Sequence, residues 1–181
     1  GRGGGGGRGG ANVSVGLHYT HSRSVQTSAF PTTGGSTTRS AWDIPVSVNF
    51  SKWGLMNAVR FGFNRSRSTT TNRYAYSQNI AGDAGIEGVS GDAFDWGVPN
   101  VSFSSITSLR DSAPSSRVDR TLTIGDTTTK LKGRHTLRLG ADLRLMSTDS
   151  RVNTNPRGTF VFTGAYTGGS TGSSGGSNND F

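Results

Sequence analysis

The sequence predicts an all-β chain: an antiparallel meander forming a partial transmembrane β-barrel, with short turns on one side and long loops on the other. Three observations predict it. First, residues 136–145 read Thr-Leu-Arg-Leu-Gly-Ala-Asp-Leu-Arg-Leu. Leu137, Leu139, Ala141, Leu143 and Leu145 fall on one parity, and Thr136, Arg138, Gly140, Asp142 and Arg144 on the other. A period of two held this long separates the sets onto opposite faces only in an extended strand. Second, only 30% of the 181 residues are hydrophobic and 28 are Gly, a thin supply for a compact aqueous core. The same supply suffices where apolar residues face lipid around a wet interior. Third, the connections between candidate strands alternate long and short along the chain, which in a meander sorts them onto opposite sides.

The elements follow in order. Residues 1–10 are a flexible Gly/Arg-rich segment holding Arg2 and Arg8. A first strand is expected over about 11–23, where Val13, Val15, Leu17 and Tyr19 alternate with Asn12, Ser14, Gly16 and His18. A polar loop with Pro31, Gly34 and Gly35 leads to a second strand over 41–51. There Trp42, Ile44, Val46, Val48 and Phe50 share a parity, although Pro45 has no N–H to give to a ladder. Lys52-Trp53-Gly54 makes a short connection to a third strand over 55–65, whose apolar parity Asn57 interrupts. Residues 66–118 form a long polar external loop with one short candidate strand, Val101 to Leu109. A fourth strand spans 119–131, with Leu122 and Ile124 in register and Leu131 out of it, for which a bulge near Asp126 would account. The tight turn Lys132-Gly133-Arg134 opens the fifth strand, 135–147. Residues 148–181 are a further external loop with a Gly/Ser-rich end. Residues 11–147 are thus the partial barrel. Five strands do not close one, since known barrels begin at eight.

Composition excludes several classes. There is no Cys, hence no disulfide framework and no thiolate metal site. No apolar run approaches the roughly 18 residues of a transmembrane helix. The net charge of +8, mostly arginine, suits nucleic acid, anionic lipid or lipopolysaccharide, or a wet lumen, and does not choose among them. The chain starts without Met in Gly-Arg sequence and shows no signal peptide, so it is read as a piece of a longer protein.

The chemistry-bearing residues are few. Arg60, Arg138, Asp142 and Arg144 are expected to face the lumen, because an arginine on the lipid face at the midplane costs about 2–4 kcal/mol. Leu137, Leu139, Leu143 and Leu145 are expected to face lipid. Trp42, Phe50 and Trp53 are candidates for interfacial belts, against the alternative of ordinary sheet packing. His18 and His21, in His-x-x-His on a strand, point to opposite faces and have no third ligand nearby. Asp83, Glu87, Asp92 and Asp95 gather in one Gly-rich loop. Calcium would find oxygen ligands there, yet a solvated loop is the favoured reading. Phe160 and Phe162 are read as packing a loop hairpin, in preference to contacting a substrate. No nucleophile–base pair or Gly-x-Ser-x-Gly elbow is present, so no catalytic residue and no cofactor is expected.

Lys132-Gly133-Arg134-His135-Thr136-Leu137-Arg138-Leu139-Gly140-Ala141-Asp142-Leu143-Arg144 resembles a barrel strand of TonB-dependent receptors of the Oar-like group. Asn155-Pro156-Arg157-Gly158-Thr159-Phe160-Val161-Phe162-Thr163-Gly164 resembles the segment that follows it there. Asn79-Ile80-Ala81-Gly82 and Phe94-Asp95-Trp96-Gly97-Val98-Pro99-Asn100 resemble the loop that precedes it, so the resemblance covers about residues 11–181 in order. It implies a receptor of the bacterial outer membrane that takes up a substrate using energy relayed by a TonB complex. The plug domain and TonB contact would lie in the full-length protein, and the substrate is unknown. Outer-membrane lipid is the expected partner, and nucleic acid is not. Two alternatives stand beside this reading. One is a soluble or secreted β-rich module binding nucleic acid through its Gly-Arg segment. The other is a surface adhesin built on the same loops.

Overall fold

The computed structural model describes residues 10–104 and 106–164. The Gly/Arg-rich segment before Gly10 and the Gly/Ser-rich end beyond Gly164 lie outside the described residues. In chain order the elements are β1 (Ala11–Val15), β2 (His18–Thr27), β3 (Gly34–Lys52), β4 (Leu55–Asn72), a one-turn α1 (Ile80–Asp83), a 3-10 turn (Ala93–Asp95), β5 (Asn100–Phe103), β6 (Ser115–Lys132), β7 (His135–Val152) and β8 (Thr159–Phe162). The main sheet is ordered β1-β3-β4-β6-β7, with β2 also on β3. Its edges are unjoined, β1 and β2 at one side and β7 at the other, so the barrel is not closed among the described residues.

The meander expected from the sequence is present, with different boundaries. β3, β4, β6 and β7 run 18 or 19 residues, well past the 9–11 that a barrel strand needs to cross a bilayer. The added lengths, such as Ser66–Asn72 of β4, are polar on both parities and carry no period-two signal. The long loop expected over 66–118 therefore begins after Asn72 and ends before Ser115. It holds β5, and Val101 bridges Leu109 across a small turn instead of running on to it as one strand.

The chain divides into two compact units. Among the described residues the first comprises 10–21, 40–67 and 118–149; the second comprises 22–39, 68–104, 106–117 and 150–164. In the first, two-residue turns close both hairpins. Trp53 (φ 51°) and Gly54 (φ 73°) are both left-handed, and Gly133 (φ 60°) opens the other turn. These are the primed turn families that match strand twist.

The strand expected over 11–23 is interrupted at Gly16–Leu17, and Pro45 is the reason. β1 pairs antiparallel with β3 from Ala11–Phe50 to Val15–Val46, which brings Gly16 opposite Pro45. Gly16 N–H donates to the Pro45 carbonyl at 2.8 Å, but Pro45 has no N–H to return. A Cβ on Gly16 would sit 2.9 Å from Pro45 Cγ, so the site needs glycine. The ladder resumes in β2.

No slip of parity is needed in β6. Thr128 lies across from Asn57 and Gly62 across from Thr123 on one side. Gly125 meets Asp142 and Gly140 meets Thr127 on the other. Leu122 and Ile124 thus share a face with Leu143 and Leu145, while Leu131 belongs to the opposite face near its turn. Asn57, the interruption in the apolar parity, is answered by the Thr128 hydroxyl at 2.7 Å.

Among the described residues the first unit has no apolar core. Those that bury apolar side chains most completely are Ala81, Phe94 and Pro114, all in the second unit. The large apolar side chains of the first unit lie outward: Leu137, Leu139, Leu143 and Leu145 are each more than half exposed, at 56, 63, 56 and 55%.

The second unit is assembled from loops. β5 and β8 form a parallel pair from Asn100–Thr159 to Phe103–Phe162, and the Phe103 and Phe162 rings stack at 5.5 Å. Phe162 thus packs in a long-range parallel pair, correcting the expectation of a loop hairpin. Asn72 ends β4 by accepting from Tyr74 and Ala75 N–H and donating to the Trp96 carbonyl.

Candidate functional site

The first unit presents its chemistry on the polar parity. Two grooves open there, of 390 and 580 Å³. Arg60 lines both, Arg138 the smaller and Asp142 the larger. Strand alternation explains the placement, since each of these residues sits between neighbours whose side chains take the other face. Arg144 follows on the same parity and is exposed, outside both grooves. Small residues make the room. Gly16, Gly62 and Gly125 line the larger groove, and Asp142 lays its carboxylate across Gly125, where a Cβ would collide with it. His18 lines this groove, while His21 lies near the ring of Tyr19, 6.4 Å away. Among the described residues no group of three His, Cys, Asp or Glu gathers to hold a metal ion.

On the apolar parity, Trp42 packs its ring on Tyr19 at 4.5 Å and is 38% exposed. Phe50 shares its strand and parity. Trp53 stands in the turn, 82% exposed, with Lys52 Nζ 4.2 Å from its ring centre.

The second unit holds the features that sequence reasoning missed. Asp95 is 1% exposed and Arg157 3%. Asp95 Oδ2 accepts from Ser90 Oγ at 2.9 Å and Asn153 Nδ2 at 3.1 Å, and pairs with Arg151 at 3.5 Å. Arg157 Nη2 donates to the Ser112 carbonyl at 3.2 Å. Burial pulls the Arg157 pKa below its ordinary value, while Asp111 and Asp95 push it back up. An arginine keeps its proton regardless, so Arg157 is a buried cation in the field of these two carboxylates, bonded to neither, with its Nε and Nη1 lacking a hydrogen-bond partner. Asp111 also accepts from the backbone N–H of Gly34, Val98 and Ser112. Gly97 passes so close that an added Cβ would lie 2.9 Å from Asp111 Oδ2 and 3.1 Å from Arg157 Cδ.

Two of the four loop acids, Asp92 and Asp95, share Arg151, but among the described residues the four do not gather into a metal-holding group. Asp92 caps the 3-10 turn through Phe94 N–H and pairs with Arg151 at 2.7 Å. The Phe94 N–H, then Arg151, hold the Asp92 carboxyl below the usual aspartate value. Asp83 accepts from Gln78, and Glu87 is exposed. A cleft of 670 Å³ also opens in this unit, lined by Arg23, Gln26, Phe30, Pro31 and Arg73 among others. The only sequence signal for this architecture was the pair of segments around Asp95 and Arg157.

An outward apolar face, a polar face with grooves and sorted connections together describe a membrane-spanning sheet. Comparison with protein families agrees: residues 8–181 match the model of an outer membrane beta barrel domain. The chain belongs to this outer membrane β-barrel family. Its location is the bacterial outer membrane. No helix among the described residues is long and apolar enough to cross a membrane. No curated protein and no solved structure matches this chain.

Proposed function

We propose that the chain is the barrel portion of a TonB-dependent uptake receptor of the Oar-like type, which carries no catalytic site. In this reading Arg60, Arg138, Asp142 and Arg144 face the lumen, and Leu137, Leu139, Leu143 and Leu145 face lipid. Trp42 and Phe50 mark the two interfaces, with Trp53 just beyond the second. From Trp42 to Phe50 the strand advances roughly 26 Å, which at the usual barrel tilt of about 40° is about 20 Å of height, somewhat less than the apolar band of about 25 Å that barrels present to lipid.

The observation that supports the reading best is the setting of the two segments that resemble the receptor group. Residues 132–144 supply a tight turn and a two-faced strand, and residues 155–164 supply Arg157, the buried cation of the loop unit. A lumen lined by Arg60, Arg138 and Asp142 suits contact with a polar plug, the part of such receptors that responds to TonB. In this reading the long loops are external and the two-residue turns periplasmic.

The test is transport. Cells expressing the barrel-bearing protein should accumulate a growth-supporting substrate only while TonB is present and the membrane energised. Growth or uptake unaffected by deletion of TonB would reject the uptake role and leave a barrel with another task.

A further inference from the structure

We propose that the loop-side rim of the apolar face binds a phosphorylated lipid headgroup of the outer leaflet through Arg65, Arg67 and Arg120, beside Trp42. The placement follows from register. The Thr37 and Thr70 hydroxyls meet at 2.9 Å across β3 and β4. Stepping along the hairpin from that pair brings Arg65 opposite Trp42. The Asn57–Thr128 hydrogen bond and the Gly62–Thr123 approach fix β4 against β6, which brings Arg120 opposite Arg65. All three positions carry the parity of Val59, Phe61 and Phe63, and Arg67 is the next residue on it. Adjacent strands lie about 4.8 Å apart, and alternate residues about 7 Å apart along a strand. One headgroup therefore reaches all three guanidinium groups.

Charge singles out the occupant. Arg120 pairs with Asp149, but among the described residues no carboxylate is bonded to Arg65 or Arg67. At the turn end the same parity closes in Lys52 and Lys130, with Trp53 in the turn. Lysine is a compact, strongly hydrated charge, whereas the arginine fork matches two phosphate oxygens at once. One rim thus has a general attraction for an anionic surface, and the other has the geometry for phosphate. In the outer membrane the long-loop side faces the leaflet rich in phosphorylated glycolipid, and aromatic rings at that level settle in the interface. The proposal rests on the outer-membrane location and on the long loops facing outward, and needs no part of the uptake role.

The experiment titrates the purified, folded barrel-bearing protein in detergent with diphosphorylated lipid A and with its dephosphorylated form, read by native mass spectrometry. The phosphorylated lipid should bind about tenfold more tightly. Arg65→Gln/Arg67→Gln should abolish that preference, Arg65→Lys/Arg67→Lys should keep part of it, and Lys52→Gln/Lys130→Gln should leave it unchanged. Excess inorganic phosphate should not displace the lipid. The proposal is overturned by equal binding of the two lipids, by a preference that survives the arginine change, or by equal loss in the lysine variant. Displacement by free phosphate would also overturn it, in favour of a soluble anion. Heat-dependent gel migration verifies that each variant is folded, and single Arg65→Gln and Arg67→Gln changes replace a double variant that is not.

Discussion

The two units of this chain solve the burial problem in opposite ways. In the first, the large apolar side chains lie outward and the groups that need water line grooves on the other face. Its stability is that of hydrogen-bonded ladders with lipid as the apolar solvent. In the second, little hydrocarbon is buried among the described residues beyond Ala81, Phe94 and Pro114, and the organising groups are charged: Asp95 and Arg157 inside, with Asp111 on three backbone N–H groups. The difference shows why one composition serves both. Thirty per cent hydrophobic residues is enough to coat a sheet, and the loops then rely on buried polar contacts, which fix geometry at a cost in desolvation.

The sharpest way to break this contrast is to remove the buried acid. Asp95→Ala removes the acceptor of Ser90 and Asn153, at about 1–3 kcal/mol for each buried donor left unpaired, while half-exposed Arg151 keeps its closer pair with Asp92. The damage should stay in the loops. Limited proteolysis within residues 73–114 should accelerate while the heat-dependent gel shift of the barrel persists. Loss of both together would mean that the two units stand or fall as one.

A complementary change attacks the other unit. Leu143→Arg places a guanidinium on the apolar face and should cost about 2–4 kcal/mol in lipid vesicles, measured by denaturant unfolding. Arg144→Leu, one residue on, should cost far less. Equal costs would sink the assignment of the two faces.

Sheet sterics give a smaller and more local test. Gly125→Ala meets only the carboxylate end of exposed Asp142, which can swing aside, so it should cost about 0.5–1.5 kcal/mol, the scale of a displaced rotamer. Adding Asp142→Gly should recover most of it. A double variant as unstable as Gly125→Ala alone would show that the collision at this site is not with Asp142.

How much of this was legible follows from where the two solvents meet. The strand carrying Leu137 to Leu145 was readable because its two faces differ, and Leu131 needed no bulge once its face was known. The strand halves such as Ser66–Asn72 were not, because both of their faces carry polar residues and alternation vanishes. Pro45 did signal trouble, but in its own strand; the break appears in the neighbour, at Gly16. The pairing of β5 with β8 joins segments far apart in sequence and leaves no local period. Asp95 was read among solvated loop acids and Arg157 only as part of a resembling segment, since a single sequence does not show which loop charges become buried. Only the resemblance of their segments to a receptor group marked them out.

The smallest effect concerns pH and separates the exposed latch from the buried one. The Asp92 carboxyl is held below its usual value, first by the Phe94 N–H and then by Arg151. A group depressed in the folded state contributes stability above its unfolded value, near pH 4, and loses it as pH falls through the folded value. Loop protection against hydrogen exchange should therefore hold from neutral pH down to about pH 4 and decline below it. Asp92→Asn keeps an oxygen to cap Phe94 but drops the charge facing Arg151. It should lower protection slightly at neutral pH and flatten the acid decline. Because Asp92 is exposed, added salt should mimic part of that loss, whereas salt should barely touch the contacts of buried Asp95. An unchanged acid profile in Asp92→Asn would assign the pH dependence to other carboxylates and leave Asp92 as a cap alone.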